Sequence, residues 1–323
     1  MNIGGEERTF FMEKAPRNKT ISTTVDEGKR WLERCIALQP GETSLPELLD
    51  QTVLGDTFEV LPRLPRGCAD LIVADPPYNL RKDYGGVTFS KQSTADYEDY
   101  TRRWLSLCVP LLKDSGSIYV CCDWQSSLII GRVLGEFFTV RSRITWQREK
   151  GRGAAANWKN GMEDIWFATK SDTYTFNLDA VKLRRRVVAP YRANGAPKDW
   201  TETADGNYRD TCPSNFWDDI TVPFWSMAEN TAHPTQKPEK LLAKIILASS
   251  DPGDLVLDPF LGSGTTSVTA KKLGRHWLGI EQNPQYCVWA EQRLERAETD
   301  KTIQGYADGV FRERNAPVPG KKK

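Results

Sequence analysis

The sequence predicts an α/β fold: a doubly wound, mostly parallel sheet interrupted by one insertion. Three observations predict it. Short apolar runs of strand length alternate with segments of helical period along most of the chain. Several of those runs end in a carboxylate followed by proline or glycine, where open α/β sheets bind their ligands. The alternation dissolves between residues 178 and 231 and then resumes.

Taken in order, residues 1–24 are polar, lack apolar periodicity and read as a flexible arm. VDEGKRWLERCIALQ (25–39) spaces apolar residues at the helical period behind an acidic first turn and predicts a helix. TVLGD (52–56) reads as a short buried strand, TFEVLPRL (57–64) as a brief helix and DLIVAD (70–75) as a second strand. A loop rich in glycine and charge leads to an amphipathic helix over 96–112, a strand over 116–123 and a helix over 125–138. RSRITWQ (141–147) and EDIWFATK (163–170) are strands around a basic, Gly/Ala-rich connection. Beyond the irregular block come helix 238–250, strand 254–258, helix 264–274, strand 276–281 and helix 284–298. The end, RNAPVPGKKK, reads as disordered. The expected organisation is an arm (1–24), a first half-domain (25–177), an insertion (178–231), a second half-domain (232–300) and a flexible tail (301–323).

Composition narrows the class of protein. Of the 323 residues 39% are hydrophobic and 27% charged, enough apolar material for a sizeable core, and no apolar run is long enough to span a bilayer. MNIGGEERTFFMEK mixes acids with bases and has no apolar centre, so no secretory signal is expected. Seven cysteines without C-x-x-C spacing and only two histidines argue against a metal site and for a reducing, cytoplasmic setting. A net charge of +1 excludes a uniformly basic nucleic-acid binder. The charge is nevertheless uneven: residues 141–160 hold six Lys/Arg against one Glu, and 181–198 hold six and no acid. Such clusters can follow phosphates, and can equally form a solvated face.

The strand ends carry the chemistry. ADPPYNL (74–80) closes an apolar run with a carboxylate, two prolines and a tyrosine. Pro76 and Pro77 fix φ and remove two backbone donors, which leaves stiffly aimed carbonyl acceptors. Asp75 adds an acceptor-only side chain and Tyr78 a flat aromatic face. Acceptors beneath a ring suit a planar substrate bearing an amino group. LVLDPFLGSGTT (255–266) runs from a strand through Asp258 into a Gly-containing loop and a helix opened by Thr265 and Thr266. Its glycines permit close approach of a ligand, and its helix N-terminus favours an anionic group. The spacing is neither G-x-G-x-x-G nor a Walker loop, which speaks against NAD and ATP. Glu281 ends HWLGIE at the interval where a carboxylate can hold ribose hydroxyls. Asp56 ends VLGD, where it can accept from an amino group or cap the next helix.

In chain order, DPPY (75–78), HPTQKP (233–238) and DPFLGSGTT (258–266) resemble the β group of DNA amino-methyltransferases, in which the catalytic strand precedes the cofactor strand. The likeness spans about residues 50–300, with 178–231 excepted. It implies a seven-stranded, Rossmann-like methyltransferase sheet, S-adenosylmethionine as cofactor, and a target-recognition region at 178–231. Phe260, Gly262, Gly264 and Thr265 would line the cofactor pocket, with Asp258 near its amino-acid end. Glu281 would take the ribose hydroxyls, Asp56 the adenine, and Thr235 and Lys237 the carboxylate. For Lys237 a plain surface lysine on a solvated helix face is the competing reading, and for His233 a structural hydrogen bond.

The resemblance further implies that Asp75 and the Pro76 carbonyl accept from the target amine, that Pro77 stiffens the turn, and that Tyr78 stacks on a flipped-out base. In the β group a leading Asp accompanies adenine N6 and a leading Ser cytosine N4, so adenine is expected and cytosine N4 is the alternative. Double-stranded DNA is the implied partner, with Arg148, Lys150, Arg152, Arg184, Arg185 and Arg186 as candidate phosphate contacts. A homodimer and a restriction endonuclease acting on the same site are family associations. Trp146 and Trp158 are assigned to packing ahead of shaping the base pocket. Protein-glutamine and RNA methyltransferases with a related tetrapeptide usually begin it with Asn and place the cofactor loop first, unlike this chain. A catalytically silent DNA-binding protein would have no need of an intact Asp75, Tyr78 and glycine loop.

Overall fold

The computed structural model describes residues 15–39, 41, 43–83, 88–148, 155–188, 191–203 and 206–314. Eight strands pair into one sheet: β1 (Gln51–Leu54), β2 (Ala69–Ala74), β3 (Leu112–Cys122), β4 (Thr139–Gln147), β5 (Met162–Thr169), β6 (Phe216–Trp217), β7 (Leu255–Asp258) and β8 (His276–Glu281). Their spatial order is β1-β8-β7-β2-β3-β5-β4-β6. All neighbours run parallel except the pairs that β5 makes with β3 and β4. Seven of these strands answer to the predicted ones; the eighth, β6, is a two-residue piece of the insertion laid against β4.

Alternation along the central strands builds two cores. On β2, Ile72 and Ala74 enter one apolar cluster while Leu71 and Val73 enter the other; on β3, Ile118 and Val120 oppose Tyr119 and Cys121. Helices α1 (Thr94–Cys108) and α2 (Trp124–Phe137) cover the first face through Trp104, Leu105, Ile130 and Leu134. Helices α3 (Glu239–Ser249), α4 (Thr265–Lys272) and α5 (Pro284–Thr299) cover the second through Leu242, Ile245, Val268 and Leu294. The sheet is thus doubly wound. β2 and β7, distant in sequence, lie side by side with Ile72 opposite Leu257, so Asp75 and Asp258 leave the sheet at adjacent strand ends.

Four expectations are corrected. The predicted helix over 25–39 is helical only at Lys29–Leu32; beyond it Ile36 bridges in parallel to Val53, because its backbone amide and carbonyl are taken by β1. Within the expected arm, residues 15–24 are pinned: Ile21 is buried and bridges Thr231, and the Thr23 carbonyl accepts from the side chains of Gln285 and Trp289. Nor is 301–314 a loose tail. Tyr306–Ala307 and Val310–Arg312 join Leu183–Arg186, Thr201–Thr203 and Gly206–Thr211 in a five-stranded second sheet, with Phe311 fully buried. That sheet covers the outer side of α3, whose residues are all buried, so the solvated face expected there does not exist. Lys240 and Lys244 meet the same buried acid, Asp219, at 2.7 and 2.5 Å.

No helix among the described residues is long and apolar enough to cross a membrane.

Candidate active site

The ends of β2, β7 and β8 converge on a cavity of about 360 Å³. This lies within the roughly 300–1,000 Å³ typical of small-molecule sites. Asp56, Asp75, Pro76, Pro77, Tyr78, Arg148, Thr235, Lys237, Asp258, Phe260, Gly262, Thr265 and Glu281, all predicted, line it. A larger cavity of about 850 Å³ lies between α3, α5 and residues 299–314. Among its charges Arg293 and Lys272 pair with Glu239 at 3.0 and 2.7 Å, and of DPPY, HPTQKP and DPFLGSGTT only Pro238 reaches it.

At the end of β2, both oxygens of Asp75 are held. Oδ2 accepts from Lys237 Nζ at 2.6 Å, and Oδ1 accepts from the Tyr78 hydroxyl at 2.9 Å. The same hydroxyl accepts from Lys237 Nζ at 2.9 Å and lies 3.3 Å from Glu163 Oε2. The Pro77 carbonyl accepts from the Tyr97 hydroxyl at 3.0 Å, whereas no donor among the described residues engages the carbonyl of Pro76. Burial raises the Tyr78 phenol well above its ordinary value, and the charges of Asp75 and Glu163 raise it further. The hydroxyl therefore stays protonated and donates.

Lys237 is not a surface lysine. Its side chain is buried at the start of α3, where its carbonyl accepts from Thr265 Oγ1 at 3.1 Å. Burial pulls its ammonium down, but Asp75 and Glu163 outweigh that and hold it above the ordinary lysine range. Its third neighbour, Glu163 on β5, lies at 3.4 Å and also pairs with Arg148. Sequence reasoning missed Glu163. The available signal was a pair of acids, Glu163 and Asp164, opening an otherwise apolar strand.

The second wall is the β7–α4 loop. Asp258 accepts from the Phe260 amide at 2.9 Å and from Thr266 Oγ1 at 2.5 Å. Gly262 and Gly264 have φ of +56° and +84°, a region L side chains rarely enter. A Cβ on Gly264 would also stand 2.6 Å from Cβ of Ala290 on α5. Glu281 accepts from the amides of Gly262 (2.8 Å) and Asn283 (2.7 Å), tying this loop to the turn after β8. Each of its oxygens has a second lone pair. Burial pushes Asp258 and Glu281 up to about 7. Phe260 stands edge-on to Trp104 at 5.4 Å, and Asp56 caps the short helix at Thr57–Val60 through the Phe58 amide. His233 also lines the cavity: Nδ1 accepts from the Thr235 amide, the ring packs 4.4 Å from Tyr286, and burial lowers it to about 3, leaving it neutral.

The predicted phosphate contacts are scattered. Lys150 and Arg152 lie outside the described residues. Arg184 makes two hydrogen bonds to Asp210 (2.8 and 2.7 Å), and Arg185 faces Asp218 and Glu313 at 3.6 and 3.9 Å; Arg186 is exposed at the strand end. Trp146 is core, donating to the Ile220 carbonyl, whereas Trp158 is 94% exposed rather than packed.

Residues 69–292 match the family described as DNA methylase, the N6/N4 group. The chain belongs to that family. It is 35% identical over 253 residues to the type II methyltransferase M.HpaI of Haemophilus parainfluenzae, covering 76% of this chain and 75% of that one. It is 36% identical over 250 residues to the DNA adenine methyltransferase YhdJ of Escherichia coli K12, covering 75% and 82%. Among solved structures, the M1.HpyAVI–SAM complex aligns over 76% of this chain and 98% of its own, with 25% identity and a TM-score of 0.52. The cytosine-N4-specific PvuII DNA methyltransferase shares the fold over 77% and 89% at 20% identity, with a TM-score of 0.56. This family of DNA methylases uses S-adenosylmethionine.

Proposed function

We propose that the protein is a site-specific DNA methyltransferase that methylates N6 of a flipped-out adenine. The observation that carries this is the junction of β2 and β7: a doubly anchored acceptor, Asp75, and a glycine loop of cofactor-binding type open into one cavity. The lining fits S-adenosylmethionine. Positive-φ glycines let a ligand approach the loop backbone, Glu281 keeps two lone pairs for ribose hydroxyls, and Asp56 and Phe260 provide an acceptor and an aromatic face for the adenine. When bound, the cofactor supplies a methyl group on a sulfonium.

The chain's own residues prepare the amine. The exocyclic nitrogen is a poor nucleophile because its lone pair is delocalised into the ring. Asp75 accepts one of its hydrogens and the Pro76 carbonyl the other, which favours a tetrahedral nitrogen with a free lone pair; these preorganised acceptors act mainly in the transition state. A base reaches them only after leaving the duplex, and the Tyr78 ring then stacks on it, worth roughly 1–3 kcal/mol. Lys150, Arg152 and Arg186 are proposed to meet phosphates; Arg148, Arg184 and Arg185 would do so only in addition to their pairs with Glu163, Asp210, Asp218 and Glu313.

Adenine is favoured over cytosine by Asp at the head of the tetrapeptide and by the adenine-specific name of one relative. Incubation with methyl-labelled S-adenosylmethionine and mixed genomic DNA, followed by nucleoside analysis, tests this. N6-methyladenine is expected; N4-methylcytosine would reassign the base, and an unlabelled digest would reject the activity.

A further inference from the structure

We propose that Glu163 and Lys237 are positioning residues which keep Asp75 oriented for the target amine, acting through Asp75 and not on the substrate. The proposal builds on the methyltransferase reading above. Asp75 and Glu163 are acids, Lys237 and Arg148 bases, and the four form one contiguous cluster beneath the cavity. Lys237 and Glu163 are buried, and Asp75 and Arg148 are partly so. The ammonium has three protons and three acceptors in reach: Asp75 Oδ2 at 2.6 Å, the Tyr78 hydroxyl at 2.9 Å and Glu163 Oε2 at 3.4 Å.

Glu163 does for Lys237 what Lys237 does for Asp75. Its Oε1 is fixed by Arg148 and its Oε2 faces both Lys237 and Tyr78, so the ammonium cannot swing away from the β2 end without leaving a buried carboxylate behind. The Lys237 backbone is fixed as well, through Thr265. With each Asp75 oxygen engaged once, each retains an acceptor position for an incoming N–H. The remaining titratable and charged groups facing this cluster are Tyr78 beside it, Cys121 on β3, Asp258 on β7, Lys82 after the tetrapeptide and His233 before Lys237.

Each partner has a separate duty. Without Lys237, Oδ2 of Asp75 loses its donor and the side chain is held only by the Tyr78 hydroxyl. Without the Glu163 carboxyl group, Lys237 keeps Asp75 but loses the neighbour that holds its ammonium at the β2 end.

The test is single-turnover methyl transfer in the full-length chain, at saturating S-adenosylmethionine and DNA, with the affinity for each measured separately. Lys237→Gln should lower the saturated rate by about tenfold or more, as loss of a charge-assisted hydrogen bond does, while both affinities stay near the parental values. Glu163→Gln should lower it less, and Lys237→Arg should restore most of the parental rate. The ¹³C signal of the Asp75 carboxyl in the same proteins without substrate should move in Lys237→Gln and stay near its parental position in Lys237→Arg. That readout needs no turnover, so it stands even if the parental protein methylates no DNA, an outcome that would reject the proposed activity instead. Should Lys237→Gln fail to fold, Glu163→Gln and Lys237→Arg still decide. Parental saturated rates in the folded variants, or a Lys237→Gln defect confined to weaker S-adenosylmethionine binding, would overturn the proposal.

Discussion

Asp75 at the end of β2 faces an ammonium at 2.6 Å; Asp258, at the end of the neighbouring β7, is held by a hydroxyl and a backbone amide, and Glu281 on β8 by two amides. All three line one cavity. A full charge can secure an anion in a buried place, whereas dipolar donors offset burial only in part, and Asp258 and Glu281 are accordingly pushed up to about 7. The difference matches the work proposed for each wall. An acceptor for the target amine must be held in place whenever a base arrives, while a carboxylate on the cofactor side can exchange a proton for a ligand's hydroxyls.

The hardest way to break this contrast is to remove the secured carboxylate. Asp75→Ala should lower the methyl-transfer rate by about 10²–10³, as loss of one preorganised polar partner does, while binding of S-adenosylmethionine and DNA persists. Parental single-turnover rates would remove Asp75 from the chemistry. On the other wall, Glu281→Ala should weaken S-adenosylmethionine binding by about 1.5–3 kcal/mol per lost charge-assisted hydrogen bond, read by calorimetry, with the rate at saturation changed much less. Because Glu281 also ties Gly262 to Asn283, the variant should show faster amide exchange in both loops.

Tyr78→Phe sharpens the contrast within the first wall. The ring alone supplies stacking, but the hydroxyl donates to Asp75 and receives from Lys237, so its loss should slow transfer by about tenfold, near 1.5 kcal/mol. Tyr78→Ala should be worse and should also weaken the signal of a 2-aminopurine at the target position. Equal damage from both would mean that the ring contributes nothing.

The smallest effect is in the pH dependence of the second wall. Asp258 and Glu281 hold protons in the fold up to about pH 7 that the unfolded chain, near 3.8 and 4.5, has already released. Their contribution to stability is therefore greatest below pH 4 and is withdrawn as pH rises toward 7, after which it is flat. Thermal unfolding of Asp258→Asn should fall less steeply over that window than the parent. S-adenosylmethionine should bind more tightly as pH climbs through 7, with proton release visible at pH 6 in buffers of different ionisation heat, and Glu281→Gln should flatten that trend.

Strand periodicity and the carboxylates after each apolar run made the sheet and most of the cavity legible, because both depend on local sequence. What stayed hidden depends on distant partners. α3 is spaced like an amphipathic helix, and only the second sheet, assembled from 183–211 and 306–312, reveals why its lysines are buried. Lys237 was found, but its pairing with Asp75 stayed hidden, since nothing local says that β2 ends beside it. Glu163 was invisible because its meaning comes from Lys237 and Arg148. Arg184 and Arg185 looked like a free basic run and are instead paired with Asp210, Asp218 and Glu313, acids 26 to 128 residues further along.

The second sheet also sets an order of events. Leu183 pairs with Phe311, and Arg184 with Arg312, across 128 residues of sequence. During synthesis the main sheet's strands are all available once residue 281 has emerged, but the second sheet must wait for residues 306–312. Until then the outer side of α3, with Ala243, Leu247 and Ala248, meets only Val181 and Leu183 among the buried members of its apolar cluster, and the late arrival of Phe311 and Ile303 closes it. A chain stopped before Ile303 should keep the main sheet and yet expose α3 to proteolysis and to dyes that seek apolar surface. The strand at Val310–Arg312 would then act as the latch on the helix that follows Lys237.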